Sequence, residues 1–163
     1  MIVSLPREIA LSPDQLEDMM LTTWNIRIAT HGPGEHINLT PMWFGWAGNK
    51  VYMTARGQKV VNLRQNSNCT LLLDHNEKFP ELMGIMMRAT AKVLEDKATE
   101  DADPHLAEAR VQMGAKYNGG HGEPPTDPPV PNNSTAKGSN RRWIVITPRK
   151  TVTWDNHKLD RIR

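Results

Sequence analysis

The sequence has little of what several large classes of protein require. It contains a single cysteine, Cys69, so no disulfide bond can form within the chain, and its place in an apolar run predicts a buried structural thiol. No apolar run approaches the ~18 residues of a membrane-spanning helix, and the first residues do not form a signal-peptide core. We therefore expect a protein without a membrane partner that works in the reducing cytoplasm.

The sequence also lacks a strong charge of either sign. It carries 20 Lys and Arg against 18 Asp and Glu, which gives a formal net charge of +2. A dedicated nucleic-acid-binding protein concentrates basic residues on one face, so a nucleic-acid partner is not expected. The six histidines are scattered and show no zinc-like spacing, so no metal site is expected either.

Familiar catalytic motifs are missing as well. The sequence contains neither a G-x-S-x-G nucleophile elbow nor a phosphate-binding P-loop, and its acidic residues are spread over polar segments. The catalytic side chains of an enzyme therefore stay unknown at this point. If the protein is an enzyme, a bound cofactor is expected to supply the difficult chemistry.

What the sequence does contain is a series of short, alternating apolar and polar segments joined by turn residues. Ser12, Pro13 and Gln15 predict a capped helix start, and Gly48-Asn49 predicts a tight hairpin turn. Hairpin-linked strands with few helices favour a mainly β (α+β) fold, a closed or nearly closed antiparallel barrel of 6–7 strands. The predicted strands are 23–30, 36–47, 50–56, 69–75, 84–96 and two between 142 and 159 that break at Pro148, and a helix is predicted over 103–117.

The length of 163 residues fits a single domain, 1–163. A Pro- and Gly-rich segment at about 118–140 interrupts it and has almost nothing to bury. An irregular segment of this length inside a domain is either functional or disordered.

The stretch "TARGQKVVNLRQN", residues 54–66, is the first candidate for a binding site. A strand that ends near Thr54 and turns through Gly57 into a helix presents free backbone N–H groups, which favour an anion. Arg56 offers a planar fork of donors for phosphate oxygens, and Lys59 adds a mobile charge. The same residues also fit an ordinary solvated helix start, and the spacing does not separate these two interpretations.

The stretch "TPMWFGW" is the second candidate. Pro41 cannot donate to a β-ladder, so it predicts an edge strand or a bulge, and bulges often lie beside active sites. Backbone groups from Thr40 to Trp43 would then be free to meet the rim of a flat heteroaromatic ring. The alternative is a kinked core strand with its Trp side chains packed inside.

At these residues the chain resembles a known family. Residues 28–74, with "MRATAKVLED" and the terminal "WIVITPRKTVTWDNHKL", are similar to the flavin and deazaflavin oxidoreductases of the pyridoxamine 5′-phosphate oxidase-like superfamily. The resemblance runs from about Trp24 to Lys158 and omits the Pro- and Gly-rich segment. The forms "PMWF" and "ARGQKVVNLRQ" look closest to its deazaflavin branch.

The resemblance implies a split β-barrel that forms a homodimer and binds coenzyme F-420 (8-hydroxy-5-deazaflavin) or FMN between the two subunits. Members hold the cofactor phosphate through Arg56 and Lys59, with neighbours such as Thr54 and Asn62. The ring lies against Thr40, Pro41, Met42 and Trp43, and the other subunit covers it through Trp154 and Asp155. Basic residues beside the insert (Lys116, Lys137, Arg141 and Arg142) would then be available to the acidic tail of F-420.

Three functions follow as hypotheses. The leading one is an F-420-dependent oxidoreductase that transfers a hydride from the reduced cofactor to a small organic acceptor. The second is an FMN-dependent oxidoreductase with the same phosphate site. The third is a binding protein for F-420, FMN or haem without turnover, because fold does not determine function; its candidate haem ligands are His31, His36, His75 and His121.

Overall fold

The computed structural model of the chain describes residues 7–117 and 140–161. The predicted insert at about 118–140, with Lys137 and His121, therefore lies outside the described residues except for its last position. The helices are α1 (Pro13–Thr22), α2 (Gln58–Gln65), α3 (Lys97–Asp101) and α4 (Leu106–Tyr117). The strands are β1 (Ile26–His31), β2 (Ile37–Met42), β3 (Gly45–Ala47), β4 (Lys50–Ala55), β5 (Asn68–His75), β6 (Met83–Leu94) and β7 (Arg142–Asp155).

The seven strands form one antiparallel sheet in the order β2-β1-β5-β6-β7-β4-β3. The long strands β6 and β7 pair over their whole length, and the sheet curves around a core of apolar side chains from most of the strands. The predicted mainly β fold, a split antiparallel barrel with a few flanking helices, is confirmed. The face that holds this core is the inner face of the sheet, and the opposite face is the outer face.

Local chemistry explains where several elements begin. The Ser12 hydroxyl accepts from the Gln15 N–H, and the Gln15 side chain accepts from the Ser12 N–H, so the predicted capping box is present. Gly48 and Asn49 both have positive φ, as a type I′ hairpin between β3 and β4 requires. Both predictions rested on short-range chemistry and are confirmed.

Two predicted boundaries differ in the structure. The expected strand 36–47 is divided into β2 and β3 at Trp43 and Phe44. The helix expected from Asp103 begins at Leu106 instead, and the Asp103 carboxylate accepts from the His105 N–H and the Tyr52 hydroxyl.

The predicted break at Pro148 was wrong, because β7 continues through it with a β-bulge. Arg88 pairs with Lys150 and Ala89 pairs with Pro148, so Arg149 is an extra residue without its own Cα partner. Before the bulge the even-numbered side chains of β7, Ile144 and Ile146, belong to the inner core. After it the odd-numbered ones face inward, since Thr153 lies opposite the core residue Ile85.

A second apolar cluster lies on the outer face, under α4. It joins Leu106, Ala109 and Met113 of this helix to Tyr52, Trp143 and Val145 of the sheet. This packing fixes the C-terminal end of α4 against the chain between β2 and β3. Within the described residues, no helix has the length and hydropathy to span a bilayer.

Candidate cofactor site

The start of α2 forms an open and uncapped helix N-terminus. Gly57 has φ 65° and ψ −141°, a conformation that glycine alone adopts readily. No side chain caps the helix, and a Cβ added at Gly57 would meet nothing within 4 Å. The first backbone N–H groups of the helix, at Gln58 and Lys59, therefore have no side-chain cap, as at a helix start that can accept an anion.

Arg56 and Lys59 flank this helix start without an anionic partner among the described residues. Other basic side chains are paired: Arg27 with Asp74, Arg64 with Glu95, and Arg110 with Glu100. Lys59 is half-buried, and desolvation lowers the pKa of its ammonium group. A half-buried cation without a counter-ion is costly, and a bound anion would remove that cost.

Asn62, one turn further along α2, is placed differently from the expectation. Its side chain is fully buried, donates from Nδ2 to Thr30 Oγ1 at 3.1 Å and accepts from Gln58 Nε2 at 2.8 Å. Asn62 therefore anchors α2 to β1 and does not reach the exposed surface around Arg56. Thr54 is half-buried and lies near the end of β4, opposite Trp143.

The predicted ring-binding strand β2 lies at the edge of the sheet, beside β1. Pro41 is exposed and pairs with Arg27, so the prediction of an edge strand or a bulge is resolved as an edge. Thr40 and Met42 point to the inner face, opposite Ile28 and Ile26. The Thr40 hydroxyl is buried and has no hydrogen-bond partner among the described residues, and an orphan group of this kind is a candidate for contact with a ligand.

Trp43 does not pack inside the core. Its side chain is 47% exposed, and its ring stacks on Tyr117 with 4.3 Å between centroids and 2° between planes. Trp24, also exposed, meets both rings edge to face. The alternative of a core strand with buried Trp side chains therefore holds for Trp46, which is buried, and fails for Trp43.

The residues that hold Trp43 in place were not found from the sequence. The Tyr117 hydroxyl accepts from the Phe44 N–H at 3.0 Å and donates to the Trp24 carbonyl at 2.7 Å. Lys116 Nζ donates to the carbonyls of Met20, Thr23 and Phe44 at 3.1–3.3 Å and lies 4.1 Å from the Phe44 ring centroid. Lys116 therefore points inward, and the expectation that it would meet an acidic tail is corrected.

Trp154 lies on a different strand from this group. It belongs to β7, which is four positions from β2 in the order of the sheet. Its ring lies over Gly84 on the outer face, where a Cβ would overlap it. The neighbouring Asp155 is buried and bonded to Gln15 and His157, so its carboxylate is already engaged.

The remaining candidate ligands show no cluster. Among residues 7–117 and 140–161, no group of three or more His, Cys, Asp or Glu side chains is arranged to hold a metal ion. His31 and His36 are exposed, and His75 Nε2 shares a 2.6 Å hydrogen bond with Thr23 Oγ1. Cys69 is buried, as predicted, and its burial raises the pKa of the thiol to about 12.

Comparison with known proteins adds information about the fold. No family model matches the chain, and no curated protein matches its sequence. Among solved structures, the conserved hypothetical protein Rv2991 from Mycobacterium tuberculosis is 23% identical with a TM-score of 0.75, covering 97% of this chain and 93% of its own. At this identity the similarity supports the fold alone.

Other similar structures carry functional descriptions. An FAD-binding protein from Mycobacterium smegmatis is 18% identical with a TM-score of 0.57, covering 90% of this chain and 98% of its own. A protein described as an F-420 reductase is 18% identical with a TM-score of 0.54, covering 83% and 94%. The haem storage protein HutZ from Vibrio cholerae is 11% identical with a TM-score of 0.62, covering 87% and 94%. The fold is thus shared by proteins described as an FAD-binding protein, an F-420 reductase and a haem storage protein.

Proposed function

We propose that the protein is an oxidoreductase that binds reduced coenzyme F-420 and transfers a hydride to a small organic acceptor. The observation that carries this proposal is the pair of unpartnered cations, Arg56 and Lys59, at the open start of α2. The F-420 reductase and the FAD-binding protein of similar fold support a cofactor of the flavin type.

The described residues fit such a cofactor in two parts. Arg56, Lys59 and the free N–H groups after Gly57 would hold the phosphate. Thr40 would meet the ring together with the unpaired edge of β2, the edge that has no neighbouring strand in the described sheet. Because α2 is anchored to β1 through Asn62 and Thr30, and β1 pairs with β2, the two parts lie on elements that both contact β1.

The bound cofactor would supply the hydride, and the protein would supply position and electrostatics. Backbone N–H groups between Thr40 and Trp43 would stabilise negative charge on the ring, as preorganised donors do in other enzymes. The site would hold the acceptor within about 3–3.5 Å of the donor carbon. Thr54, at the end of β4, is proposed as a further donor to the phosphate.

We also propose a homodimer that places Trp154 over the ring of the other subunit. Trp154 lies on the outer face, four positions from β2 in the order of the sheet, and in the proposed dimer the second copy would bring it to the ring. Three apolar side chains on the same outer face, Leu72, Met86 and Val152, are half-buried.

A cytoplasmic location is proposed from the free, buried Cys69.

FMN is the main alternative cofactor, and the FAD-binding protein of similar fold supports a flavin in general. Both cofactors would use the same phosphate site, and F-420 would also need space for its acidic tail. Haem is a further alternative because HutZ shares the fold; His31 and His36 are its exposed candidate ligands.

Titration of the purified protein with F-420, FMN and haemin separates these functions. Absorbance and fluorescence would follow the first two ligands, and the Soret band would follow haemin. We expect micromolar binding of F-420 and much weaker binding of the other two. Binding of FMN alone, or of haemin with a shifted Soret band, would exclude the F-420 function.

A further inference from the structure

A cavity lies on the outer face of the sheet, away from the start of α2. Its volume is about 440 Å³, and it is formed by the C-terminal end of β1, the N-terminal ends of β2 and β5, and the middle of β6 and β7. Cavities that bind small molecules in proteins usually measure ~300–1,000 Å³. The cavity is therefore large enough for a ligand of moderate size.

The chemistry of the cavity wall is cationic. Arg88, Arg149 and His31 line it together with Asn68, Thr70 and Thr90, and no Asp or Glu is among the described residues that line it. Arg88 has no anionic partner in the described chain, and Arg149 donates only from Nε to Thr90 Oγ1 at 3.1 Å. Two guanidinium groups therefore share one cavity without a carboxylate to balance them.

The β-bulge in β7 produces this concentration of charge. In a regular antiparallel pair, one residue of β7 would lie opposite Arg88. The bulge instead places two consecutive residues, Arg149 and Lys150, against it. Disrupting the ladder costs hydrogen bonds, and like charges placed opposite each other are destabilising. An anion bound between the arginines would offset that repulsion.

We propose that this cavity binds a small polyanion that carries phosphate or carboxylate groups. Arg88 and Arg149 would each present a planar fork to its oxygens, and the Asn68 amide and Thr70 hydroxyl would add neutral donors. Phosphate and carboxylate groups share this chemistry, so the probes must distinguish them.

The cavity is separate from the candidate cofactor site. Its main cations lie on β6 and β7, whereas Arg56 and Lys59 lie at the start of α2. Thr30 contributes to the cavity wall, and the Asn62 side chain of α2 donates a hydrogen bond to Thr30. This buried hydrogen bond therefore lies between the cavity and α2. A polyanion in the cavity would leave the phosphate position at α2 free.

Calorimetric titration of the full-length protein with inorganic pyrophosphate and, separately, with citrate tests this proposal. We expect saturable one-site binding of at least one probe. The double variant Arg88→Gln/Arg149→Gln should weaken that binding at least tenfold, and Arg88→Lys/Arg149→Lys should weaken it less because the charges are kept. The double variant Lys78→Gln/Lys92→Gln removes the same charge from exposed positions outside the cavity and should bind like the wild type.

Two results would overturn the proposal. One is that neither probe binds to the wild type, or that the Gln variant binds both probes as tightly as the wild type does. The other is that the Gln variant changes the oligomeric state in solution without changing probe binding, which would assign the arginines to a contact with a second copy. The variant Arg56→Ala/Lys59→Ala should retain probe binding, so failure of the proposed cofactor function would be seen separately.

Discussion

The rings of Trp43 and Tyr117 lie parallel, 2° apart in orientation, with 4.3 Å between their centroids. Trp43 follows the edge strand β2, and Tyr117 is the last residue of α4. The C-terminal end of a helix that packs on one face of the sheet therefore determines the position of a Trp beside the candidate ring site. This relationship makes α4 part of the architecture of that site.

The first prediction concerns the Tyr117 hydroxyl. Burial raises the pKa of Tyr117 to about 12, so the phenol stays protonated at neutral pH and keeps its hydrogen bonds. Tyr117→Phe leaves the buried Phe44 N–H without its acceptor, and we expect a loss of about 1–3 kcal/mol in the free energy of unfolding. Urea denaturation measures it; Val111→Ala, at an exposed position of α4, should change it by less than about 0.5 kcal/mol.

The second prediction concerns Lys116 and pH. Burial lowers the pKa of its ammonium group from 10.5 in the unfolded chain to about 8. Below pH 8 both states bind the proton, whereas between about pH 8 and 10.5 the unfolded state binds more protons than the folded state. The free energy of unfolding contributed by this group therefore rises with pH across that window.

Denaturation of the wild type and of Lys116→Met at several pH values isolates this contribution, since other titrating groups are common to both proteins. We expect the stability difference in favour of the wild type to be constant below pH 7 and to widen from pH 8 to 10. A difference that narrows over this range would contradict the assignment.

The third prediction concerns the anion site at α2. Arg56→Ala/Lys59→Ala should weaken binding of the phosphate-bearing cofactor by a few kcal/mol, because hydrogen bonds to charged groups contribute about 1.5–3 kcal/mol each. Arg64→Ala is the matched control, since Arg64 lies on the same helix and is paired with Glu95. Equal affinities of the double variant and the wild type, measured by fluorescence titration, would place the phosphate elsewhere.

The fourth prediction concerns the orphan hydroxyl of Thr40. Thr40→Val keeps the shape of the side chain and removes a buried polar group that has no partner among the described residues. We expect the free energy of unfolding without cofactor to rise by about 1 kcal/mol, while cofactor affinity falls. A variant that loses stability, or that binds the cofactor more tightly, would show that this hydroxyl does not serve the ligand.

Short-range chemistry explains most of what could be predicted from the sequence. The capping box at Ser12, the hairpin at Gly48-Asn49 and the edge position of Pro41 depend on residues close together in the chain, and all three are present. The outline of an antiparallel barrel followed from the alternation of short segments. The strand, glycine and helix that made Arg56 and Lys59 candidates also follow one another directly in the structure, and the binding role of both residues stays a prediction.

The rest depends on contacts between distant residues, which local patterns do not encode. Lys116 looked like a surface charge beside a polar insert, yet it binds carbonyls contributed by α1, by the residue after α1 and by Phe44. Asn62 looked like a phosphate neighbour, yet its partner Thr30 lies 32 positions earlier in the chain. Pro148 looked like a strand end because the compensating bulge is visible only once β6 lies beside β7.

The extra residue in β7 also divides this strand into two reading frames. Ile144 and Ile146 face the core in the first frame; if the same sequence formed a regular strand without the bulge, this frame would bring Val152 and Trp154 inside and turn Thr151 and Thr153 outward. Deletion of Arg149 itself would instead remove the bulge and leave the remaining pairs, and therefore both faces, unchanged. The face to which each side chain of β7 turns after Pro148 is thus determined by the bulge together with the one extra residue that it accommodates.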